Sequence, residues 1–227
     1  LIVAICVFAF SAFQLYKIFN GYHKGESEYD DLVKLAVTED KGEQENGTDD
    51  QDGSRFSVDF DALRQINPDV VAWIRFDEPA VINYPVVQGS DNSEYLSKTF
   101  KGYDNTVGTI FVNAYNHADF NDRNTIIYGH YMYNGTMFNE LEQYHEKSFR
   151  EKYPYFYIYT PDGNVATYQI YSVGVVKDTS EGYTYQFADD AAFASFLEAT
   201  KASSLYDTGV EVGNDSQIVT LSTCTRE

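Results

Sequence analysis

Val-Val-Ala-Trp-Ile-Arg-Phe-Asp-Glu-Pro-Ala-Val-Ile-Asn-Tyr-Pro-Val-Val, residues 70–87, is two apolar, β-like runs parted by the turn residues Asp77-Glu78-Pro79-Ala80. Short runs of this kind, rich in β-branched and aromatic side chains, read as strands. The pattern repeats downstream at Gly108–Val112, Thr125–Gly129 and Tyr155–Thr160, then at Ala166–Val176 across a Pro-Asp-Gly-Asn turn, and at Gln217–Cys224. Helical spacing is expected at Phe56–Ile66, stopped by Asn67-Pro68, at Met137–Tyr153 and at Asp189–Ala202. Many short strands with a few inserted helices point to a mostly-β barrel or sandwich and away from regular βαβ alternation. Trp73, the single Trp, is expected in the core.

A chain of 227 residues accommodates one ordinary domain with an anchor and a linker. Its 43% hydrophobic and 16% aromatic content is that of a packed globule. The net charge of −19, from 16 basic and 35 acidic residues, argues against a nucleic-acid partner, because phosphate backbones need a Lys/Arg surface. Three segments follow: an apolar stretch over 1–19, a juxtamembrane helix and acidic linker over 20–53, and a folded domain over 54–227.

Leu1–Tyr16 carries no charge, and Lys17 is the first ionisable side chain after it. The reading is a transmembrane anchor, incomplete upstream because the chain opens on Leu; a cleaved signal peptide and a buried core helix are the alternatives. Tyr22–Val37 ends in helix-like spacing of Leu32, Val33, Leu35 and Ala36. Glu39–Gly53 has no apolar residue and seven acidic ones, so it reads as a solvated linker.

Cys6 sits in the apolar segment and Cys224 near the far end, so the two are not expected to bridge. A lone thiol at the end of a strand is either a buried structural Cys or a nucleophile, and a nucleophile needs a base or positive charge nearby. Of the four histidines, His23 lies beside the anchor, His117 in a polar loop, and His145 on an exposed helix face. His130 ends the strand Asn124-Thr-Ile-Ile-Tyr-Gly-His130 and opens into a loop, where side chains project into clefts. Cys224 and His130 are 94 positions apart (224 − 130), so only the fold can join them. Ser222 shares a strand face with Cys224, and either contacts substrate backbone or is satisfied by a neighbouring strand. Tyr128 shares a face with His130, and either lines a groove or is packed. No zinc-like spacing or phosphate loop is present, and no cofactor or metal is expected.

The series Asn67-Pro-Asp-Val-Val-Ala-Trp-Ile74, Tyr84-Pro-Val-Val-Gln88, Gly108-Thr-Ile-Phe111, Ile126-Ile-Tyr-Gly-His130, Gly135-Thr-Met-Phe138 and Thr220-Leu-Ser-Thr-Cys224 resembles the motif order of class B sortases. The Thr-Leu-x-Thr-Cys element with an upstream Gly-His is specific to sortases, and the Met-Phe after the His favours class B. The resemblance implies an eight-stranded sortase β-barrel with added helices, carried outside the membrane of a Gram-positive cell by the anchor. It implies a cysteine transpeptidase in which Cys224 attacks the carbonyl after the Thr of an Asn-Pro-x-Thr-like sorting signal. His130 would protonate the leaving amine and then accept a proton from an incoming amine. The partners implied are surface proteins with a C-terminal sorting signal and a peptidoglycan precursor or cross-bridge amine. A surface cysteine peptidase using the same two residues, and a catalytically silent wall-associated binding module, are the alternatives.

Two positions depart from the family pattern. The family's oxyanion-stabilising Arg is expected several residues past the Cys, beyond Glu227; Arg226, two residues along a strand and about 7 Å from Cys224, does not occupy that position. The domain is therefore expected to continue past this C-terminus. Asn113 stands where many class B relatives carry Asp.

Overall fold

The computed structural model describes residues 2–41 and 54–223. The uncharged N-terminal run and the juxtamembrane segment form one helix, α1 (Ile2–Ala36), about 52 Å long at 1.5 Å per residue. Its halves differ in environment. Val3, Phe8, Phe10, Phe13 and Phe19 are exposed, whereas Glu28, Tyr29, Leu32 and Ala36 are buried. The buried positions recur at helical spacing, so one stripe of the second half faces the core.

α1 leads into β1 (Val37–Lys41), which pairs antiparallel with β2 (Ser54–Val58). The expected helix over Phe56–Ile66 is thus two elements, because Asp59 is an N-cap whose Oδ1 accepts from Ala62 N at 2.9 Å. Residues before the cap are extended, and α2 (Phe60–Ile66) follows it. Packing carries across the expected boundary at Ser54, since Tyr29, Leu32 and Ala36 belong to the same core cluster as Trp73 and Val86. Residues 42–53 of the acidic linker lie outside the described residues.

The main sheet has the order β8-β7-β3-β4-β5-β6-β9. Its members are β3 (Val70–Phe76), β4 (Asn83–Val87), β5 (Ile110–Val112), β6 (Asn124–Tyr128), β7 (Tyr155–Tyr159), β8 (Val165–Gln169) and β9 (Ile218–Ser222). Pairing is antiparallel except for β4–β5 and β6–β9. The sheet curls until its two edges, β8 and β9, line one cavity of about 700 Å³, giving a near-closed, mostly-β barrel as expected, with seven strands in its sheet among the described residues where the resemblance implied eight. Trp73 is fully buried at its centre and donates Nε1–H to Asn83 Oδ1 at 2.6 Å.

Two expected elements are broken. Met137–Tyr153 becomes a 3-10 turn over Asn139–His145 and a short α3 (Lys147–Lys152), divided at the extended Glu146. The buried Tyr144 hydroxyl lies 3.0 Å from both the Glu78 and Tyr153 carbonyls, which fixes the turn from two sides. Ala166–Val176 stays a ladder only through Gln169, because Ile170 O is taken by the Arg150 guanidinium and Val173 O by Leu205 N. α4 (Asp190–Ala202) starts as its Asp189 cap dictates, with Oδ1 accepting from Ala192 N at 2.8 Å.

Leu32→Ala, at a position 1% exposed, is expected to cost about 2–5 kcal/mol of stability. Urea unfolding checks this. A change below about 0.5 kcal/mol, the range of surface substitutions, would mean that α1 does not share the barrel's core.

Candidate active site

Two strands that are distant in sequence lie side by side here. β6 and β9 run parallel with Asn124 opposite Ile218, Ile126 opposite Thr220 and Tyr128 opposite Ser222, and Gly129 N donates to Ser222 O at 3.0 Å. Parallel neighbours lie about 4.8 Å apart. The register is fixed at its start by Asn124, a fully buried residue with poor strand preference. Asn124 Oδ1 accepts from Thr220 Oγ1 at 2.8 Å, and its Nδ2 donates to Thr184 O at 2.8 Å. A one-residue slip would orphan this buried amide. Asn113, where an acid was expected by resemblance, is also buried; it accepts from Asn92 Nδ2 and donates to Asn116 Oδ1 in an amide network that ties the β5–β6 connection together.

His130 follows β6 by two residues and is partly buried. Its Nε2 lies 2.6 Å from the Leu96 carbonyl. A carbonyl only accepts, so this bond places a proton on Nε2 and leaves Nδ1 as the ring's other nitrogen. The His130 carbonyl accepts from Phe138 N at 3.0 Å, which folds the following loop back on the strand end. Two glycines make room. A Cβ at Gly129 would stand 2.5 Å from the Phe138 ring. At Gly108, where φ is +62°, a Cβ would meet Tyr95 O at 2.7 Å, Leu96 O at 2.9 Å and His130 Cδ2 at 2.9 Å.

The other expected site residues separate into two groups. Tyr128 lies tilted against Phe111 with ring centroids 5.3 Å apart. Burial, then the neighbouring Tyr183 and Tyr185, raise its phenol above the ordinary tyrosine value, so it stays neutral at physiological pH. The Ser222 hydroxyl is 2.9 Å from that of Tyr183, which comes from a 3-10 turn over Glu181–Tyr183 and not from a strand. Ser222, Thr223 and Tyr183 line the 700 Å³ cavity; Tyr128 and His130 do not. Cys224 and Arg226 lie outside the described residues. Sequence reasoning missed the Leu96 carbonyl, Tyr183 and Asn124. Only Asn124 left a signal, as a poor strand former opening a β-branched run.

Behind the histidine, Tyr84 is buried, and its hydroxyl accepts from Met137 N at 3.1 Å. Burial pushes its phenol up to about 12, with the Met137 bond pulling the other way.

Three comparisons place this geometry. The family model described as the sortase domain matches residues 77–227. Sortase B of Listeria monocytogenes is 34% identical over 167 residues, which cover 73% of this chain and 66% of that protein. The chain thus spans about two thirds of the length of that curated relative. Among solved structures, sortase B from Bacillus anthracis in complex with AAEK1 superposes with a TM-score of 0.78 at 31% identity, covering 92% of this chain and 94% of that one. A Staphylococcus aureus sortase B–substrate complex superposes with a TM-score of 0.69 at 34% identity, over 73% of this chain and 76% of that one.

Gly108→Ala is expected to destabilise the domain by about 1–3 kcal/mol and to shift the ring resonances of His130; a thermal melt and histidine-selective NMR unchanged from wild type would contradict the packing described. The raised Tyr84 phenol sets a pH limit as well. Its folded value exceeds the unfolded one of about 10, so its contribution is complete below pH 10 and is lost as pH rises through about 12. Urea midpoints should therefore fall between about pH 9.5 and pH 11.5, and Tyr84→Phe should make that fall shallower, the rest coming from other tyrosines raised by burial, such as Tyr29, Tyr95 and Tyr144.

Proposed function

This chain belongs to the sortase family, and on that premise we propose that it is a membrane-anchored cysteine transpeptidase with Cys224 as nucleophile and His130 as acid/base. The observation that carries the reading is the parallel β6–β9 register. Its last pair is Tyr128–Ser222, and the residues two further along each chain are His130 and Cys224. A register continued that far would bring thiol and imidazole to neighbouring positions, the arrangement an activated Cys needs.

The chemistry is acyl transfer in two halves. Cys224 sulfur adds to the carbonyl carbon after the Thr of an Asn-Pro-x-Thr-like sorting signal. The peptide C–N bond then breaks, His130 gives its proton to the departing amine, and a thioacyl-enzyme remains. An incoming peptidoglycan amine attacks the thioester, His130 takes the proton, and the C–S bond breaks as the new amide forms. Ser222 and Tyr128 would contact the substrate beside this pair. The exposed apolar half of α1, up to about Phe19, would be the membrane anchor, with the barrel outside a Gram-positive cell and surface proteins as its acyl donors.

A fluorogenic Asn-Pro-x-Thr peptide with and without an amine acceptor tests this. Cys224→Ala should abolish cleavage, and His130→Ala should lower it about 10²–10⁴-fold, with wild-type product carrying the amine. Cleavage by either variant at the wild-type rate would sink the mechanism. A wild-type product that is always the free acid would make the chain a peptidase. Peptide binding without turnover would make it a binding module.

A further inference from the structure

We propose that Tyr29, on the helix that leads from the anchor, is a positioning residue for His130. This rests on the acid/base role given to His130 above, and it extends that role to what holds the ring in place. Tyr29 touches both sides of the histidine's support. On one side its hydroxyl donates to Gly108 O at 2.6 Å and lies 3.1 Å from Thr109 Oγ1. Thr109 in turn donates its Oγ1 proton to Lys98 O at 2.7 Å and its N–H to Tyr95 O at 2.9 Å. The next carbonyl in the chain, that of Leu96, is the one that takes His130 Nε2, and Gly108 is wedged between that carbonyl and the imidazole.

On the other side the Tyr29 ring meets Tyr84 edge to face, with centroids 5.4 Å apart and planes at 88°. The Tyr84 hydroxyl accepts from Met137 N, held at a φ of +57°, and the next amide, Phe138 N, donates to His130 O. The histidine is thus fixed at its ring through one route and at its backbone through the other, and both begin at Tyr29.

Further bonds from α1 keep the 97–109 loop seated. The buried Glu28 carboxylate takes Thr99 Oγ1 at 3.0 Å and Lys101 N at 2.8 Å, and Gly21 O takes Asn105 Nδ2 at 2.9 Å. Tyr29 itself is 4% exposed, so loss of its hydroxyl would strand Gly108 O away from water. The loop would then shift the Leu96 carbonyl that orients the ring. A displacement of about 1 Å at a reacting group lowers turnover about 10²-fold, so partial loosening is expected to be smaller.

The test uses the full chain in detergent. Tyr29→Phe keeps the ring and its contact with Tyr84 but removes the hydroxyl that holds Gly108 O; Thr109→Val leaves that bond in place and removes the neighbouring one, from Thr109 Oγ1 to Lys98 O. Each is expected to lower kcat about 5- to 20-fold with KM changed less than about twofold, and to move the His130 ring nitrogen resonances, assigned by their loss in His130→Gln. The double variant should be worse than either single, since two different bonds to the same loop are lost. Ring resonances and kcat equal to wild type in the folded variants would overturn the proposal; if Tyr29→Phe does not fold, Thr109→Val, which loosens the same loop at its bond to Lys98 O, decides by the same criterion. Wild-type activity in His130→Ala would instead refute the acid/base reading, while the ring resonances still report on the positioning.

Discussion

The parallel pairing of β6 with β9 is the constraint on which the rest depends. A two-residue hairpin cannot join parallel strands, so the chain between them must cross over, here by way of the opposite edge of the same sheet, before it returns. Here that excursion builds α3, the β7–β8 hairpin and α4. The Asn124 amide, satisfied by Thr220 on one side and Thr184 on the other, ties the returning strand and the excursion to the same point. A one-residue slip would turn every side chain of β9 to the opposite face, so this buried polar residue defines which residues can meet beyond the strand ends.

The second organising element is α1. It is apolar and exposed at one end and amphipathic and buried at the other, so a single helix is both the proposed anchor and part of the barrel's core. Its buried face carries polar side chains, Glu28 and Tyr29, each bonded to the 97–109 loop. Burying such groups is tolerated because their partners are in place. The consequence is a loop with little regular structure held firmly enough to steady the Leu96 carbonyl, just before it, against His130.

Much of this was legible in the sequence. β3 was read to the residue, since Val70–Phe76 is apolar, β-branched and aromatic and is bounded by turn residues, and β6 and α4 were read to within a residue. His130 stood out because it ends a strand and opens a loop. Resemblance to class B sortases supplied the chemistry that periodicity could not. What escaped was tertiary. Nothing local marks Leu96 as the residue whose carbonyl meets the histidine, because a backbone acceptor has no side-chain signature. Residues 137–153 have helical spacing, yet Tyr144 is drawn to the Glu78 and Tyr153 carbonyls and the helix divides at Glu146. Asp59 could have been read as a cap, which would have separated the extended run at Phe56 from α2.

The most direct test of the central claim is intact-mass analysis, with peptide mapping, of the full chain held with an Asn-Pro-x-Thr peptide in the absence and then the presence of an amine. The account predicts an acyl adduct on Cys224 that forms without the amine and disappears as peptide–amine product appears. An adduct on Cys6, or a folded protein that turns the peptide over with no adduct on any thiol, would contradict it.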